Sequence, residues 1–302
     1  MTKILISDKI SPAAVSLLKE KHDVEEFLDW EALELLEKIK GFDALVIRSR
    51  TKVTKELLDS SDSLKVIGRA GAGLDNVDVE YAKEKGIQVI NTPTANLLSV
   101  AELTLGLAIS LLRNIPKADK TTREGMWEKK NLRGVEVKGK KWGIIGFGHV
   151  GQLVAGLLSG FGCDLIAYDP YVPKEVAGQY SVTLSSLEDL MKESDIISIH
   201  VPLLESTKGL IGKKEISMMK ENAIIINISR GGIIEEDALY ESLKEGKIKG
   251  AALDVFENEP PTNSPLLALD NTVFTCHLGA QTTDAQKRVG EELVDKLLAA
   301  LE

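Results

Sequence analysis

Cysteine is scarce in this chain, and so are long uncharged apolar stretches. The 302 residues include two cysteines, Cys163 and Cys276, too few for a disulfide framework, so a reducing compartment is expected. The most apolar predicted helix, 97–112, contains Glu102 and is too short to cross a bilayer. The first eight residues carry charges on both sides of a short apolar run, unlike a signal peptide. We therefore expect a soluble, cytoplasmic protein.

Positive charge is also in deficit. Lys and Arg number 37 against 46 Asp and Glu, which gives a formal net charge of −9. A chain with this balance is repelled at long range by nucleic acids and by anionic membranes. We therefore expect no nucleic-acid partner and no membrane partner. The length suits two domains of ordinary size, and an apolar content of 43% is enough for two cores.

The clearest motif is rich in glycine. Residues 143–151 read GIIGFGHVG, an apolar run followed by Gly146, Gly148 and Gly151 in G-x-G-x-x-G spacing. In such a motif the first glycine permits a tight turn, the second lets the backbone approach a pyrophosphate, and the third lets the helix pack near the sheet. The pyrophosphate then lies on free N–H groups at a helix N-terminus. The pattern predicts a dinucleotide site; the alternative is an ordinary βα turn that uses glycines for backbone reasons alone.

An acidic residue completes this pattern. A helix-like segment (150–161) and a second apolar run lead from the glycines to Asp169. A carboxylate at the end of the second strand is expected to accept hydrogen bonds from ribose hydroxyls and to repel a 2′-phosphate. The next residues, Pro170 and Tyr171, offer no cation to such a phosphate. The sequence therefore predicts NAD rather than NADP.

Short apolar runs alternate with helical patterns over the first ninety residues and again after residue 140. Such alternation predicts parallel sheets with helices on both faces. Between Asn91 and Lys140 we expect no strand, only a helix from about Leu97 to Asn114 and then a charged segment. The final helix, 282–298, has no strand after it and could pack on either domain. We expect strands at 3–6, 24–27, 44–47, 66–68 and 89–91 and, after the glycine motif, at 165–168, 196–200, 223–228, 250–253 and 273–275.

Polar residues at four strand ends are candidates for chemistry, because ligands of open α/β sheets bind beyond the carboxyl ends of the strands. Arg230 follows a buried strand, although by itself such a residue is more often a surface arginine in a loop. Glu259 precedes two prolines in a segment that could also be a solvated acidic loop. His277 ends the last strand, and histidine exchanges protons near neutral pH. Arg48 and Arg69 end strands of the first domain and suggest an anion pocket.

Together these motifs resemble the D-isomer-specific 2-hydroxyacid dehydrogenase family. The segments that carry the resemblance follow the glycine motif in order and are 227–232 (NISRGG), 252–256 (ALDVF), Glu259-Pro260 and 277–280 (HLGA). Residues 68–78 and 91–93 are similar to the members that oxidise 3-phosphoglycerate. The match runs from about Ile4 to Ala299, whereas longer members continue, so we expect no feedback inhibition by serine through a C-terminal extension.

The resemblance implies two doubly wound parallel-sheet domains, the nucleotide-binding one of Rossmann type. Residues 1–92 with 282–302 are expected to form a discontinuous substrate-binding domain, and residues 93–281 the NAD-binding domain. The implied reaction is NAD-dependent oxidation of 3-phospho-D-glycerate to 3-phosphohydroxypyruvate, the first step of serine biosynthesis, by a homodimer without a metal. Two alternatives stay open: another D-2-hydroxy acid, such as glycerate/hydroxypyruvate or glyoxylate, and a non-catalytic NAD sensor.

The resemblance also assigns residues. Arg230, Glu259 and His277 are the expected catalytic set, with His277 as the acid/base. The expected cofactor contacts are Gly146, Gly148, His149, Val150, Gly151, Asp169, Ile228, Ser229, Arg230, Asp254, His277, Gly279 and Ala280. The expected substrate contacts are Arg48, Arg69, Ala70, Gly71, Arg230 and His277, with Arg50 and Lys129 as further candidates for the phosphate. Many relatives have threonine where this chain has Ala72 and Arg-Ile at 149–150, but neither change removes a backbone N–H.

Overall fold

The structure is a computed structural model that describes residues 2–302, and its contacts divide the chain into two compact units. The first unit runs to Leu97 and resumes at Ala280–Glu302, and the second is Leu98–Gly279. The sequence places the corresponding boundaries after residues 92 and 281.

A parallel sheet forms the centre of the first unit. Its strands are β1 (Lys3–Ile6), β2 (Asp23–Glu26), β3 (Ala44–Ile47), β4 (Val66–Arg69) and β5 (Gln88–Asn91). In the described part of this unit the strand order is β2-β1-β3-β4-β5, and every pairing is parallel. The order reverses at β1, so β1 and β3 flank the switch point at which doubly wound sheets bind ligands.

Helices cover both faces of this sheet. They are α1 (Pro12–Lys19), α2 (Ala32–Lys38), α3 (Lys55–Ser60), α4 (Val79–Glu84) and α12 (Thr283–Leu301). Apolar residues of α1 and α12 share one core, and those of α2, α3 and α4 share the other. The C-terminal helix lies close to the sheet, because Gly68 of β4 leaves room for Leu293. Lys296 of the same helix donates to the Asn91 carbonyl at 2.9 Å.

The second unit also contains a parallel sheet. Its strands are β6 (Lys141–Ile145), β7 (Asp164–Tyr168), β8 (Thr183–Leu184), β9 (Ile196–Ile199), β10 (Ile224–Asn227), β11 (Gly250–Leu253) and β12 (Thr272–Phe274). Across residues 98–279 the order is β12-β11-β10-β9-β6-β7-β8. Strands β9, β10 and β11 are buried along their whole length, as expected for central parallel strands covered on both faces. The order reverses at β6, which is the Rossmann arrangement.

The helices of this unit lie between its strands, apart from two that precede them. They are α5 (Leu97–Leu112), α6 (Ile115–Arg123), α7 (His149–Leu158), α8 (Lys174–Gln179), α9 (Leu187–Glu193), α10 (Lys213–Ser217) and α11 (Glu236–Lys244), with a 3₁₀ turn at Pro265–Ala268. Within residues 2–302 no single helix is both long and apolar enough to cross a membrane. Only α5 and α6 taken together, with a 60° bend, reach the required length and composition.

The expected fold class is confirmed: both sheets are parallel and doubly wound, and the second is of Rossmann type. The predicted strands 3–6, 44–47 and 250–253 are confirmed to the residue. Helix α6 and strand β8 are among the elements that were not predicted. Helix α6 falls in the charged segment, and among its described residues only Thr121 is buried, so no apolar stripe marks it. Strand β8 has two residues, too few to produce a periodic pattern.

Candidate active site

The glycine turn joins β6 to α7. Gly146 has a φ of +89°, and a Cβ on it would lie 2.7 Å from Val201 Cγ1 and 2.8 Å from the His200 carbonyl oxygen. A Cβ on Gly151 would overlap the Gly146 carbonyl oxygen. These two glycines are therefore required by the packing of the turn itself.

Gly148 differs from the other two glycines. It is the N-cap residue of α7, and a Cβ on it would meet no atom of residues 2–302 within 4 Å. The protein's own packing therefore gives no reason for glycine at this position. Open space beside an exposed backbone at a helix N-terminus fits the pyrophosphate of a dinucleotide. Of the next two residues, His149 is exposed, whereas Val150 packs on the apolar core.

Asp169 follows β7 and reaches back to the glycine turn. Its Oδ2 accepts the Phe147 N–H at 2.8 Å, and its Oδ1 accepts the Tyr171 N–H at 2.9 Å. Each carboxylate oxygen retains a further lone pair, so the group can still accept ribose hydroxyls. The Asp169 side chain therefore also has a structural role that the motif did not predict, because its hydrogen bond links the glycine turn to the end of β7.

The loop after β10 carries Ser229 and Arg230. Asn227, which is buried, accepts the Ser229 N–H at 3.1 Å and the Ser229 hydroxyl at 2.8 Å. Its amide nitrogen donates to the Arg230 carbonyl at 2.8 Å. Ile228 is buried in the core. Asn227 belongs to the motif that carried the resemblance, but its part in shaping this loop was missed by sequence reasoning.

Gly231 brings this loop against the next one. A Cβ on Gly231 would overlap the Phe256 carbonyl group. Only glycine therefore allows the backbone after Arg230 to touch the backbone that leads into Glu259. In the same segment, the Glu257 N–H donates to the Glu236 carboxylate at 2.7 Å.

Glu259 and His277 form a direct pair. Glu259 Oε2 lies 2.9 Å from His277 Nδ1, and the two side chains are 39% and 49% exposed. Burial by itself raises the pKa of the Glu259 carboxyl. The hydrogen bond and the charge of His277 outweigh burial, aided by the Phe256 N–H and the charge of Arg230, so the pKa falls below its ordinary value. An ionised carboxylate can only accept, so Nδ1 carries the proton of this bond and Nε2 is left for proton exchange.

Asp254 organises the turn on which His277 lies. It is fully buried, and its Oδ1 accepts the Thr275 hydroxyl at 2.6 Å and the Leu278 N–H at 2.7 Å. Its Oδ2 accepts the Gly279 N–H at 2.9 Å. Within this turn His277 adopts a φ of +57°, a conformation that residues other than glycine seldom take. All these bonds are internal, so Asp254 supports the turn; the cofactor contact that the resemblance implies for it stays a prediction.

His200 follows β9 beside the glycine turn, but its surroundings point to a structural role. Its Nε2 lies 3.0 Å from Ser198 Oγ, which also accepts the Trp142 Nε1–H at 2.9 Å. Its Nδ1 is buried and has no hydrogen-bond partner among residues 2–302. Burial lowers the pKa of His200 to about 3, so the imidazole is neutral and does not exchange protons near pH 7.

The predicted substrate residues of the first unit lie at the carboxyl edge of its sheet. Arg48 follows β3 and is half-buried; burial lowers the pKa of its guanidinium, and the charge of Asp8 raises it. Arg69 ends β4, and its guanidinium lies against Gly71, where a Cβ would overlap it. Ala70 is buried in the core, and its N–H donates to the Ile47 carbonyl at 2.8 Å.

The remaining candidates are less suited to a phosphate. Arg50 stacks on the Trp30 ring at 4.5 Å and donates to the carbonyl groups of Leu28 and Trp30, the latter at 2.8 Å. It therefore braces the segment before α2. Lys129 is exposed in a turn of the second unit.

Ala280, an expected cofactor contact, lies in the first unit. Its carbonyl group accepts the Gln286 side-chain amide at 2.7 Å.

Comparison with known proteins identifies the family. Residues 105–279 match the domain described as D-isomer specific 2-hydroxyacid dehydrogenase, NAD binding domain, so the cofactor of this domain is NAD. A D-3-phosphoglycerate dehydrogenase from Methanocaldococcus jannaschii is 50% identical over the whole chain, but the chain spans only 58% of that relative's length.

Two further proteins match along nearly their whole length. A hydroxypyruvate reductase from Thermotoga maritima is 48% identical over 99% of this chain and 98% of its own. The crystal structure of D-lactate dehydrogenase from Aquifex aeolicus with NAD and lactic acid superposes with a TM-score of 0.87 at 28% identity, covering 99% of this chain and 96% of that one. The chain therefore belongs to the D-isomer specific 2-hydroxyacid dehydrogenase family.

Proposed function

We propose that the chain is a dehydrogenase that uses NAD to oxidise 3-phospho-D-glycerate to 3-phosphohydroxypyruvate, the first step of serine biosynthesis. The observation that carries the proposal is the hydrogen bond of 2.9 Å between Glu259 and His277 in the loops that follow β11 and β12. The D-3-phosphoglycerate dehydrogenase from M. jannaschii, at 50% identity, supports the choice of substrate.

The chemistry assigned to His277 is proton transfer at Nε2. In the oxidative direction Nε2 accepts the proton of the substrate 2-hydroxyl, and Glu259 stabilises the imidazolium that forms. Because Glu259 also fixes the tautomer through Nδ1, the accepting nitrogen is ready before substrate arrives. NAD, when bound, supplies the acceptor for the hydride from C2.

Arg230 is assigned to the substrate carboxylate and the C2 oxygen. A planar guanidinium can hold a carboxylate through two parallel hydrogen bonds and stabilise negative charge that develops on a neighbouring oxygen. Its Nη1 donates to the Ser229 carbonyl at 2.7 Å, which restricts the side chain. The Gly231 contact keeps this loop against the segment that carries Glu259.

We assign the first unit to substrate binding and the second to NAD. The support is chemical, since Arg48 and Arg69 place positive charge at the carboxyl edge of the first sheet. A 3-phosphate carries the complementary charge. The Arg48→Ala/Arg69→Ala double variant is expected to raise the KM for 3-phosphoglycerate while activity on unphosphorylated D-glycerate persists. Unchanged activity of this variant on 3-phosphoglycerate would contradict the assignment of Arg48 and Arg69 to the 3-phosphate.

We further propose a cytoplasmic homodimer. Exposed apolar side chains near α5 and α6, namely Leu98, Ile115, Met126 and Trp127, offer a surface for a second copy. Trp127 is 84% exposed, so among these side chains it is the strongest candidate for burial against a second copy of the chain. Light scattering of the eluting protein is expected to give twice the mass of the chain, and Trp127→Glu is expected to shift it toward the monomer.

A second candidate keeps the chemistry and changes the substrate. The T. maritima hydroxypyruvate reductase matches the chain over 98% of its own length, which favours hydroxypyruvate or glyoxylate as an alternative. Steady-state turnover across 2-hydroxy acids, each with and without a 3-phosphate, separates the two. We expect the highest kcat/KM for 3-phospho-D-glycerate. An equal kcat/KM for D-glycerate would favour the alternative substrate.

A non-catalytic NAD sensor would not need His277. General acid–base catalysis contributes ~10²–10⁴-fold to turnover. We therefore expect His277→Ala to lower kcat at least a hundredfold, while NAD still binds. A loss smaller than tenfold would count against proton transfer by His277.

A further inference from the structure

A buried polar cluster lies at the switch point of the first sheet. Among the described residues that follow β1 and β3, Ser7, Asp8 and Thr51 are buried, and Asp8 is only 4% exposed. Burying a carboxylate is costly unless hydrogen bonds satisfy it. A charged group at this position therefore calls for an explanation from its contacts.

The Asp8 carboxylate accepts hydrogen bonds from one loop, residues 48–51. Its Oδ2 accepts the Arg48 N–H at 2.6 Å and the Thr51 N–H at 3.1 Å. Its Oδ1 accepts the Thr51 hydroxyl at 2.8 Å, and that hydroxyl also lies 2.9 Å from Ser7 Oγ. A side chain at the end of β1 thus fixes the backbone at both ends of the loop that follows β3.

Asn76 holds the same loop through its carbonyl groups. Its amide nitrogen lies 2.6 Å from the carbonyl oxygens of both Arg48 and Thr51. The N–H groups of these two residues therefore point to a carboxylate and their C=O groups to an amide. Few conformations of residues 48–51 satisfy both partners, so the path of the loop is set before any ligand arrives.

The charge of Asp8 also acts on the Arg48 side chain. The guanidinium is half-buried, and its nearest hydrogen-bonded group is the Lys9 carbonyl at a long 3.4 Å. A negative charge nearby compensates for part of the hydration that the guanidinium has lost. Asp8 therefore supports Arg48 through the backbone and through charge.

We propose that Asp8 is a positioning residue that holds loop 48–51 so that Arg48 presents its guanidinium to an anionic group of the substrate. This inference rests on the proposed function, which assigns Arg48 to the 3-phosphate. The loop lies where doubly wound sheets bind ligands, and a preorganised cation binds an anion more tightly because less side-chain freedom is lost.

Asp8→Asn is the direct test, because the amide keeps the size of the side chain but replaces one acceptor with a donor. Loss of a hydrogen bond to a charged group predicts a rise of about tenfold in the KM for 3-phosphoglycerate. We expect kcat, the KM for unphosphorylated D-glycerate and the Kd for NAD to change about twofold or less, since these do not depend on a phosphate contact.

Asp43→Asn is the matched control. Asp43 lies at the opposite edge of the same sheet, where it accepts the Lys3 N–H at 2.9 Å and Lys65 Nζ at 2.8 Å. This substitution removes another carboxylate with two hydrogen bonds from the same unit and is expected to lower Tm without raising the KM for 3-phosphoglycerate. An equal rise in both variants would mean that Asp8 acts through stability alone, which overturns the proposal.

Thr51 provides a milder pair in case Asp8→Asn fails to fold. Thr51→Val removes the hydroxyl that donates to Asp8 and is expected to raise the KM for 3-phosphoglycerate about threefold. Thr51→Ser keeps the hydroxyl and is expected to restore the wild-type value. Equal KM values for the two variants would contradict the proposal.

Combination with Arg48→Ala separates failure of the inference from failure of the proposed function. If Asp8 acts through Arg48, Asp8→Asn has no further effect on the KM for 3-phosphoglycerate once Arg48 is alanine. Additive effects would overturn the positioning role while leaving the phosphate assignment intact. If Arg48→Ala alone leaves the preference for phosphorylated substrate unchanged, Arg48 does not bind the 3-phosphate. The positioning role of Asp8 would then be contradicted as well.

Discussion

The carboxylate of Asp254 holds the Gly279 N–H at 2.9 Å, so a buried side chain at the end of β11 fixes the backbone two residues beyond His277. The same carboxylate accepts the Leu278 N–H and the Thr275 hydroxyl. Residues on both sides of His277 are therefore anchored to one group. This anchoring accounts for the left-handed backbone of His277, which an unsupported turn would not maintain.

Asp254→Asn is expected to loosen this turn. The amide can no longer accept at both oxygens, so at least one N–H near His277 loses its partner. Because misplacement of a catalytic group by about 1 Å can cost ~10²-fold, we expect kcat/KM to fall ~10–100-fold. Steady-state kinetics with 3-phosphoglycerate measure the effect.

Asp195→Asn is the matched control for Asp254→Asn. Asp195 lies at the amino edge of the same sheet, where it accepts the Lys141 N–H at 2.9 Å and Lys220 Nζ at 3.0 Å. We expect this variant to lose thermal stability and to keep its kcat/KM. A similar loss of activity in both variants would show that the effect of Asp254 is not local to the His277 turn.

The glycine turn allows binding to be separated from packing. Gly148→Ala adds a methyl group to open space, so Tm is expected to stay unchanged while the Kd for NAD rises, because that space is assigned to the pyrophosphate. Gly151→Ala forces a methyl group onto the Gly146 carbonyl and is expected to destabilise the protein by ~1–3 kcal/mol. Thermal unfolding and NAD titration of both variants measure the two effects. A Gly148→Ala protein with unchanged NAD affinity would contradict the pyrophosphate assignment.

The residues assigned to the chemistry were easier to propose from the sequence than the residues that hold them in place. Arg230 and His277 could be proposed because each follows an apolar run, and Glu259 because it stands before two prolines; all three lie within motifs that resemble a known family. The strands were predictable for a related reason, since parallel strands buried on both faces appear as short apolar runs between turn residues.

Asp8 gave no such signal, and Asn76 lay within segment 68–78 without any predicted role. The importance of each depends on hydrogen bonds to residues about 25 to 45 positions away, set by strand order. The same applies to Asp169, whose bond to the Phe147 N–H was not predicted, although its place in the motif was. Partners of this kind follow from topology, and a pattern along the chain does not contain them.

Asp169 is expected to resist a simple change of cofactor preference. Asp169→Ser removes the charge that would repel a 2′-phosphate, which favours NADP, but it also removes the acceptor of the Phe147 N–H. We therefore expect weaker NAD binding and a lower Tm, with little gain in NADP affinity. Titration with both cofactors and thermal unfolding test this. Tight NADP binding at an unchanged Tm would show that the bond to Phe147 does not support the turn.

Glu259 is expected to make stability depend on acidic pH. Its pKa is lowered on folding, so the stability that it contributes is fully present above its ordinary value of 4.5 and is lost as the pH falls through the lowered pKa. The difference in Tm between wild type and Glu259→Gln should therefore be largest near pH 6 and shrink toward pH 3. A difference that stays constant over this range would contradict the lowered pKa.

Glu236 supplies a control of opposite sign for that experiment. Burial raises the pKa of this carboxyl despite the hydrogen bond from the Glu257 N–H, so its ionisation destabilises the folded state as the pH rises above 4.5. Relative to Glu236→Gln, the wild type should gain stability as the pH falls, whereas relative to Glu259→Gln it should lose stability. Because both glutamates lie in the second unit, general acid denaturation cannot produce opposite trends. Trends of the same sign would show that one of the two pKa directions is wrong.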